Sequence, residues 1–181
     1  PNCINNQPAG NTCQTATPIC NLNGYCGSTS STYTADYWSQ LNSTFCGSIE
    51  NNSFLTFVAT STTISFDVWV TSSQDNSGIQ IMIFSANNCS GAVNNLTCWS
   101  PGIVPSGSTN ISANGLVVGN TYYIMIDGYG GDVCDYVIAA NSGIQTQVNT
   151  TASDTEICLG ETVTLNSTGG NGSYNWTTAP T

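Results

Sequence analysis

Between residues 54 and 140 apolar and polar side chains alternate with a period of two. In FLTFVA (54–59) Leu55 and Phe57 share one face. In TISFDVWV (63–70) Ile64, Phe66, Val68 and Val70 alternate with Ser65, Asp67 and Trp69. Ile79, Ile81 and Ile83 do the same in GIQIMIF (78–84), as do Tyr122, Ile124 and Ile126 in TYYIMID (121–127) and Tyr136, Ile138 and Ala140 in CDYVIAA (134–140). Alternation bounded by Gly, Asn and Ser clusters predicts half-buried antiparallel strands. No window carries a 3.6-residue period, so the fold class is all-β, with a sandwich as its architecture.

The flanks read differently. Residues 1–50 are loop-rich and hold five cysteines, so disulfides are expected to stand in there for a continuous hydrophobic face. SGIQTQVN reads as a connector, which places a first domain at 1–141, a linker at 142–148 and a second module at 149–181. In that module Val163 and Leu165 alternate with Thr, and a GGNG turn leads to Tyr174 and Trp176. This is the opening of an immunoglobulin-like sandwich with Trp176 as its candidate core tryptophan. About three strands are present where such a fold needs about seven. An apolar face on so few strands is expected to complete its core with a neighbouring subunit or with downstream chain.

Composition narrows the function. The 181 residues include no Lys, Arg or His, against ten Asp and Glu. Without cations the chain cannot neutralise a phosphate backbone, which excludes DNA and RNA as partners. Without imidazole or lysine there is no Ser-His-Asp relay and no Schiff base. Disorder is also excluded, because 39% of the residues are hydrophobic. The carboxylates must be solvated, bonded to backbone N–H groups or bound to a metal ion, which brings calcium forward. No apolar run is long enough for a membrane span. A start at Pro1 suggests a mature or excised segment of a secreted protein.

Nine cysteines without a CxxC pair or a histidine read as a disulfide framework in an oxidising compartment rather than as zinc ligands. Cys3, Cys13, Cys20, Cys26, Cys46, Cys89, Cys98 and Cys134 are expected to form four bridges. Cys89–Cys98 is the most local of these, flanking the turn-rich SGAVNNLT. Cys158 is left over, its partner expected beyond Thr181.

NTCQTATPIC, FCGSIENNSFLTFVA (45–59), SGIQIMIFSANNCS (77–90) and NTYYIMIDGYGGDVCDYVI (120–138) occur in an order that resembles surface proteins of Bacteroidota. The first domain resembles a divergent bacterial pre-peptidase C-terminal domain, and ICLGETVTL (157–165) is similar to the opening of the immunoglobulin-like or PKD-like modules that follow it. The resemblance implies a jelly-roll-like sandwich, export by the type IX secretion system and a place among cell-surface adhesins, including gliding-motility-associated ones. The sorting domain of that family is not part of this sequence.

Three clusters carry candidate chemistry. Asp127, Asp132 and Asp135 surround DGYGGDVCD, read as a hairpin whose Gly128, Gly130 and Gly131 make the turn. Three carboxylates at one turn are candidate calcium ligands, and capping of turn N–H groups is the competing use. Glu50, Asp36, Asp67 and the Asp127 cluster are the candidates for a glycosidase pair, with no signature around them. Trp69, Trp99, Tyr123 and Tyr129 are candidate sugar-stacking rings, with cross-strand packing as the competing role. Sequons stand at Asn42, Asn51, Asn88, Asn95, Asn110, Asn149, Asn166, Asn171 and Asn175, only slightly above the number such a composition generates at random. These features point to a non-enzymatic extracellular structural or adhesive module at the cell surface. It would contact homotypic neighbours or other surface modules, with no membrane insertion of its own, and could assemble with them into a filament. The alternative is a glycan-binding accessory module of a secreted enzyme.

Overall fold

A computed structural model describes residues 2–105, 107–144, 149–153, 156, 158–160 and 162–168. The chain divides into two compact units, Pro1–Gln145 and Thr146–Thr181. In chain order the elements of the first unit are β1 (Thr17–Pro18), β2 (Tyr25–Ser28), α1 (Ser39–Thr44), β3 (Ser53–Val58), β4 (Thr63–Ser73), β5 (Ile79–Ala86), β6 (Val93–Ile103), β7 (Ser108–Asn114), β8 (Thr121–Gly128) and β9 (Cys134–Ser142). The second contains β10 (Asn149–Ala152) and β11 (Leu165–Thr168), an antiparallel pair. Leu165 is about half exposed. Tyr174 and Trp176 lie outside the described residues.

The first unit is the expected all-β sandwich. A five-stranded sheet in the order β1-β3-β8-β5-β6 faces a four-stranded sheet in the order β2-β9-β4-β7. Every pairing is antiparallel except β1 with β3. The alternating residues meet between the sheets: Leu55, Phe57, Ile81, Ile83, Ile124 and Ile126 from one, Ile64, Phe66, Val68, Tyr136 and Ile138 from the other. Ile144 is also buried in this core, so the packed sandwich extends past residue 141.

The central strands β3, β5 and β8 of the five-stranded sheet are not half-buried. Phe54, Met82, Phe84 and Met125, on the opposite face, form a second core with Cys13, Leu41, Phe45 and Cys89. The cysteine-rich N-terminal segment and the six-residue α1 thus make a third layer. Its burial removes from water side chains worth about 1.5–3 kcal/mol each. The helix is too short to leave a 3.6-residue signature, and tertiary packing rather than propensity sustains it.

Disulfides fasten this layer, with a different connectivity from the local one. Cys13 bonds Cys89, Cys46 bonds Cys98 and Cys3 bonds Cys26. The expected Cys89–Cys98 bridge does not form. Cys89 sits in the β5–β6 turn, while Cys98 lies five residues into β6, opposite Met82. At about 3.3 Å per residue that is about 16 Å of strand, whereas a bridge needs Cα atoms within about 7 Å. Cys20 and Cys134 are unbridged, so the four-bridge expectation is also corrected. Cys20 is exposed just beyond the β1–β3 pairing, and buried Cys134 begins β9 in the other sheet. Cys158, in the second unit, is exposed.

Candidate functional site

The segment from Asp127 to Asp135 is not a hairpin. β8 belongs to the five-stranded sheet and β9 to the four-stranded one, so the chain crosses between layers here. Gly130 and Gly131 adopt φ of 65° and 84°, a region that disfavours any side chain bearing a Cβ. A turn of glycines serves a corner as well as a hairpin, and only the long-range pairing of β9 with β4 and β2 distinguishes them.

Asn51, just before β3, welds the corner. Gly128 N–H donates to its Oδ1 at 3.0 Å, and its Nδ2 donates to the carbonyls of Thr29, Gly131 and Asp132. With 6% exposure and its amide committed, it is no acceptor for a glycan in the folded chain, whatever its sequon. The sequons at Asn42, Asn88, Asn95 and Asn110 are exposed.

The three aspartates occupy three environments. Asp132 is 1% exposed and accepts from Ser73 Oγ at 2.5 Å and from the backbone N–H groups of Asp75, Ser77 and Gly78 at 2.7–3.0 Å. It thereby holds the β4–β5 loop. Burial by itself would raise its pKa, but the bonds from Ser73, Asp75 and Gly78 outweigh it and hold the carboxyl well below the usual range. Asp127, with no exposed surface, accepts from the N–H groups of Glu50 and Asn51 at 3.1 and 3.0 Å. Burial pushes its carboxyl up to about 7. The two backbone bonds oppose that rise and the neighbouring Glu50 carboxylate adds to it. Asp135 is exposed and accepts from Ser72 Oγ at 2.7 Å. Asp127 and Asp132 therefore brace different loops, and Asp135 lies on the outside of the sheet. Among the described residues no three acidic, Cys or His side chains converge on a metal position.

The other carboxylates are dispersed. Asp36 accepts from Cys13 N–H at 2.8 Å, and Asp67 from Asn110 Nδ2 at 2.7 Å on the outer face of β4. Among the described residues Glu50 lies beside Asp127, its N–H donating to Asp127 Oδ1 at 3.1 Å and its carboxylate helping to raise the Asp127 pKa. Gln80 and Asn51, which the sequence reading did not select for chemistry, share that neighbourhood. Gln80 is the one polar residue in an otherwise apolar Ile79–Phe84 run, a signal that could have marked it.

A cavity of about 400 Å³ opens on the outer face of the four-stranded sheet, lined by Tyr33, Thr71, Asp135, Val137 and the Cys3–Cys26 bridge. Trp69, half-buried, stands across from Val137 on that sheet. Trp99 and Tyr129 are 43% and 41% exposed, on β6 and at the corner. Tyr123 is packed, its ring stacked on Phe84 at a centroid distance of 5.3 Å.

No helix among the described residues is long and apolar enough to cross a membrane. The three bridges fit an oxidising environment. No protein family, curated protein or solved structure matches the chain.

Proposed function

We propose that the chain is an extracellular structural and adhesive module of a bacterial surface protein, of the kind its sequence resembles. The observation that carries this reading is the bridged third layer. Cys13–Cys89 and Cys46–Cys98 fasten the N-terminal segment over a sheet face that would otherwise lie open. Such covalent fastening suits long residence outside the cell, as does a sequence without Lys or Arg, which offers no trypsin-type cleavage site. Among the described residues the long edge strand β6 and the short β10–β11 pair lie at sheet edges, through which copies or neighbouring modules would associate. Electron microscopy of native surface material labelled for this chain tests the assembly. Regular axial or lateral contacts are expected, and isolated monomers would refute it.

The outer-face cavity favours a second reading, a glycan-binding accessory module. A ring (Tyr33), a hydroxyl (Thr71) and a carboxylate (Asp135) around one concavity supply stacking and hydrogen bonds suited to a sugar. Binding on a glycan array that disappears in Tyr33→Ala and Asp135→Ala would establish it; a blank array would remove it.

A further inference from the structure

Behind the β8–β9 corner lies a group of enclosed polar side-chain atoms whose hydrogen-bonding capacity is poorly filled. Gln80 and Asp127 are direct cross-strand partners in β5 and β8, and Ser48 and Glu50 lie on the segment leading into β3. Gln80 has no exposed surface, yet its Oε1 has no hydrogen-bond partner. Glu50 Oε2 is also enclosed and unpartnered. Gln80 Nε2 lies 3.4 Å from both Asp127 Oδ2 and the Ser48 carbonyl oxygen. That is long for N–H···O, which centres near about 2.9–3.0 Å. It is the spacing of adjacent oxygens on calcium: with metal–oxygen distances of about 2.4 Å, two ligands at a right angle are about 3.4 Å apart.

A half-turn of the Gln80 amide exchanges Nε2 for Oε1, two atoms that diffraction itself rarely tells apart. Its oxygen then faces the same space as Asp127 Oδ2 and the Ser48 carbonyl, with the Glu50 carboxylate beside them. Gly47 leaves room for the amide, since a Cβ there would fall on Gln80 Oε1. No Lys, Arg or His exists in the chain to balance the two carboxylates.

We propose that the Ser48 carbonyl, Glu50, Gln80 Oε1 and Asp127 Oδ2 form a calcium site joining the 47–51 segment to β5 and β8. The donors are all hard oxygens, two of them from carboxylates, and water would complete the shell. Magnesium, with ligands at about 2.0–2.1 Å, would require right-angle oxygens to close to about 2.9 Å, so the site selects calcium. Of the three aspartates at the corner only Asp127 takes part.

The test uses the full chain with its bridges intact, stripped with chelator and titrated with calcium chloride by calorimetry and thermal unfolding. One ion per chain is expected, with Tm rising as calcium is added and magnesium at least tenfold weaker. Glu50→Gln, at a half-buried position, and Gln80→Met should each weaken calcium at least tenfold, whereas Asp135→Asn should leave it unchanged. Extracellular sites bind as weakly as about 0.1–1 mM. Absence of both heat and Tm shift at calcium several times above that range overturns the site. Binding that survives both Glu50→Gln and Gln80→Met overturns it equally, and since Glu50→Gln leaves the β-strands untouched, that arm stands even if Gln80→Met does not fold.

Discussion

Asp127 and Asp132 lie five residues apart at the two ends of one corner, both enclosed, and physically they are opposites. Asp132 arrives as an anion at a place already furnished with four donors, three of them backbone N–H groups from one loop. Asp127 meets two backbone donors, one distant amide and another carboxylate. Burial costs both the same kind of energy, and the surroundings compensate only one. Enclosure alone therefore does not determine whether a carboxylate braces a fold or strains it. The supply of donors does.

The sharpest way to break the contrast is Asp132→Ala. Four donors lose their acceptor at once, at about 1–3 kcal/mol for each that remains dry. We expect a loss of about 4 kcal/mol in urea unfolding, with the β4–β5 loop becoming sensitive to proteases. Asn51→Ala, which removes the weld common to both halves of the corner, should cost about 3 kcal/mol by the same assay. A loss under 1 kcal/mol in either variant would show that water replaces these bonds readily.

pH separates the two acids by sign. The folded pKa of Asp132 is depressed, so its contribution is complete above the unfolded value near about 4 and is lost as pH falls below it. The folded pKa of Asp127 is raised to about 7, so in chelator the native state keeps a proton that the unfolded chain releases. Stability then declines as pH rises from about 4 to about 7. Metal-free chain should be most stable near pH 4, and Asp127→Asn should flatten the decline above it. A profile that rises steadily from pH 4 to 7 would contradict the assignment. Asp127→Asn itself should change metal-free stability at pH 4 by about 1 kcal/mol or less, since one oxygen can still accept from Glu50 and Asn51. Asp135→Asn, with a single exposed bond, should be the mildest, within about 0.5 kcal/mol.

The alternation that marks β3, β4, β5, β8 and β9 was legible because each strand shows one face to the inter-sheet core. The second core was legible only in hindsight. Met82, Phe84 and Met125 fill the alternate positions with apolar groups, which is how a strand covered on both faces reads. What covers them lies in a segment whose path is set by bridges, and the sequence positions of cysteines do not determine their pairing. The corner was legible as a glycine-rich turn with three acids but not as a crossing, because the same turn residues serve both. Asn51 was legible only as a sequon. Its role depends on Thr29, Gly128, Gly131 and Asp132, which come together only when two sheets are stacked.

The Cys13–Cys89 bridge also determines how the molecule answers a pull. Its two ends are 76 positions apart in sequence, a stretch that would reach about 250–270 Å if drawn straight. Force applied along the chain passes through the sulfur–sulfur link instead and leaves β1 to β5, all within that loop, slack. Tension can therefore peel apart only what lies outside the loop, and most of the sandwich's hidden length stays locked until the bridge is reduced.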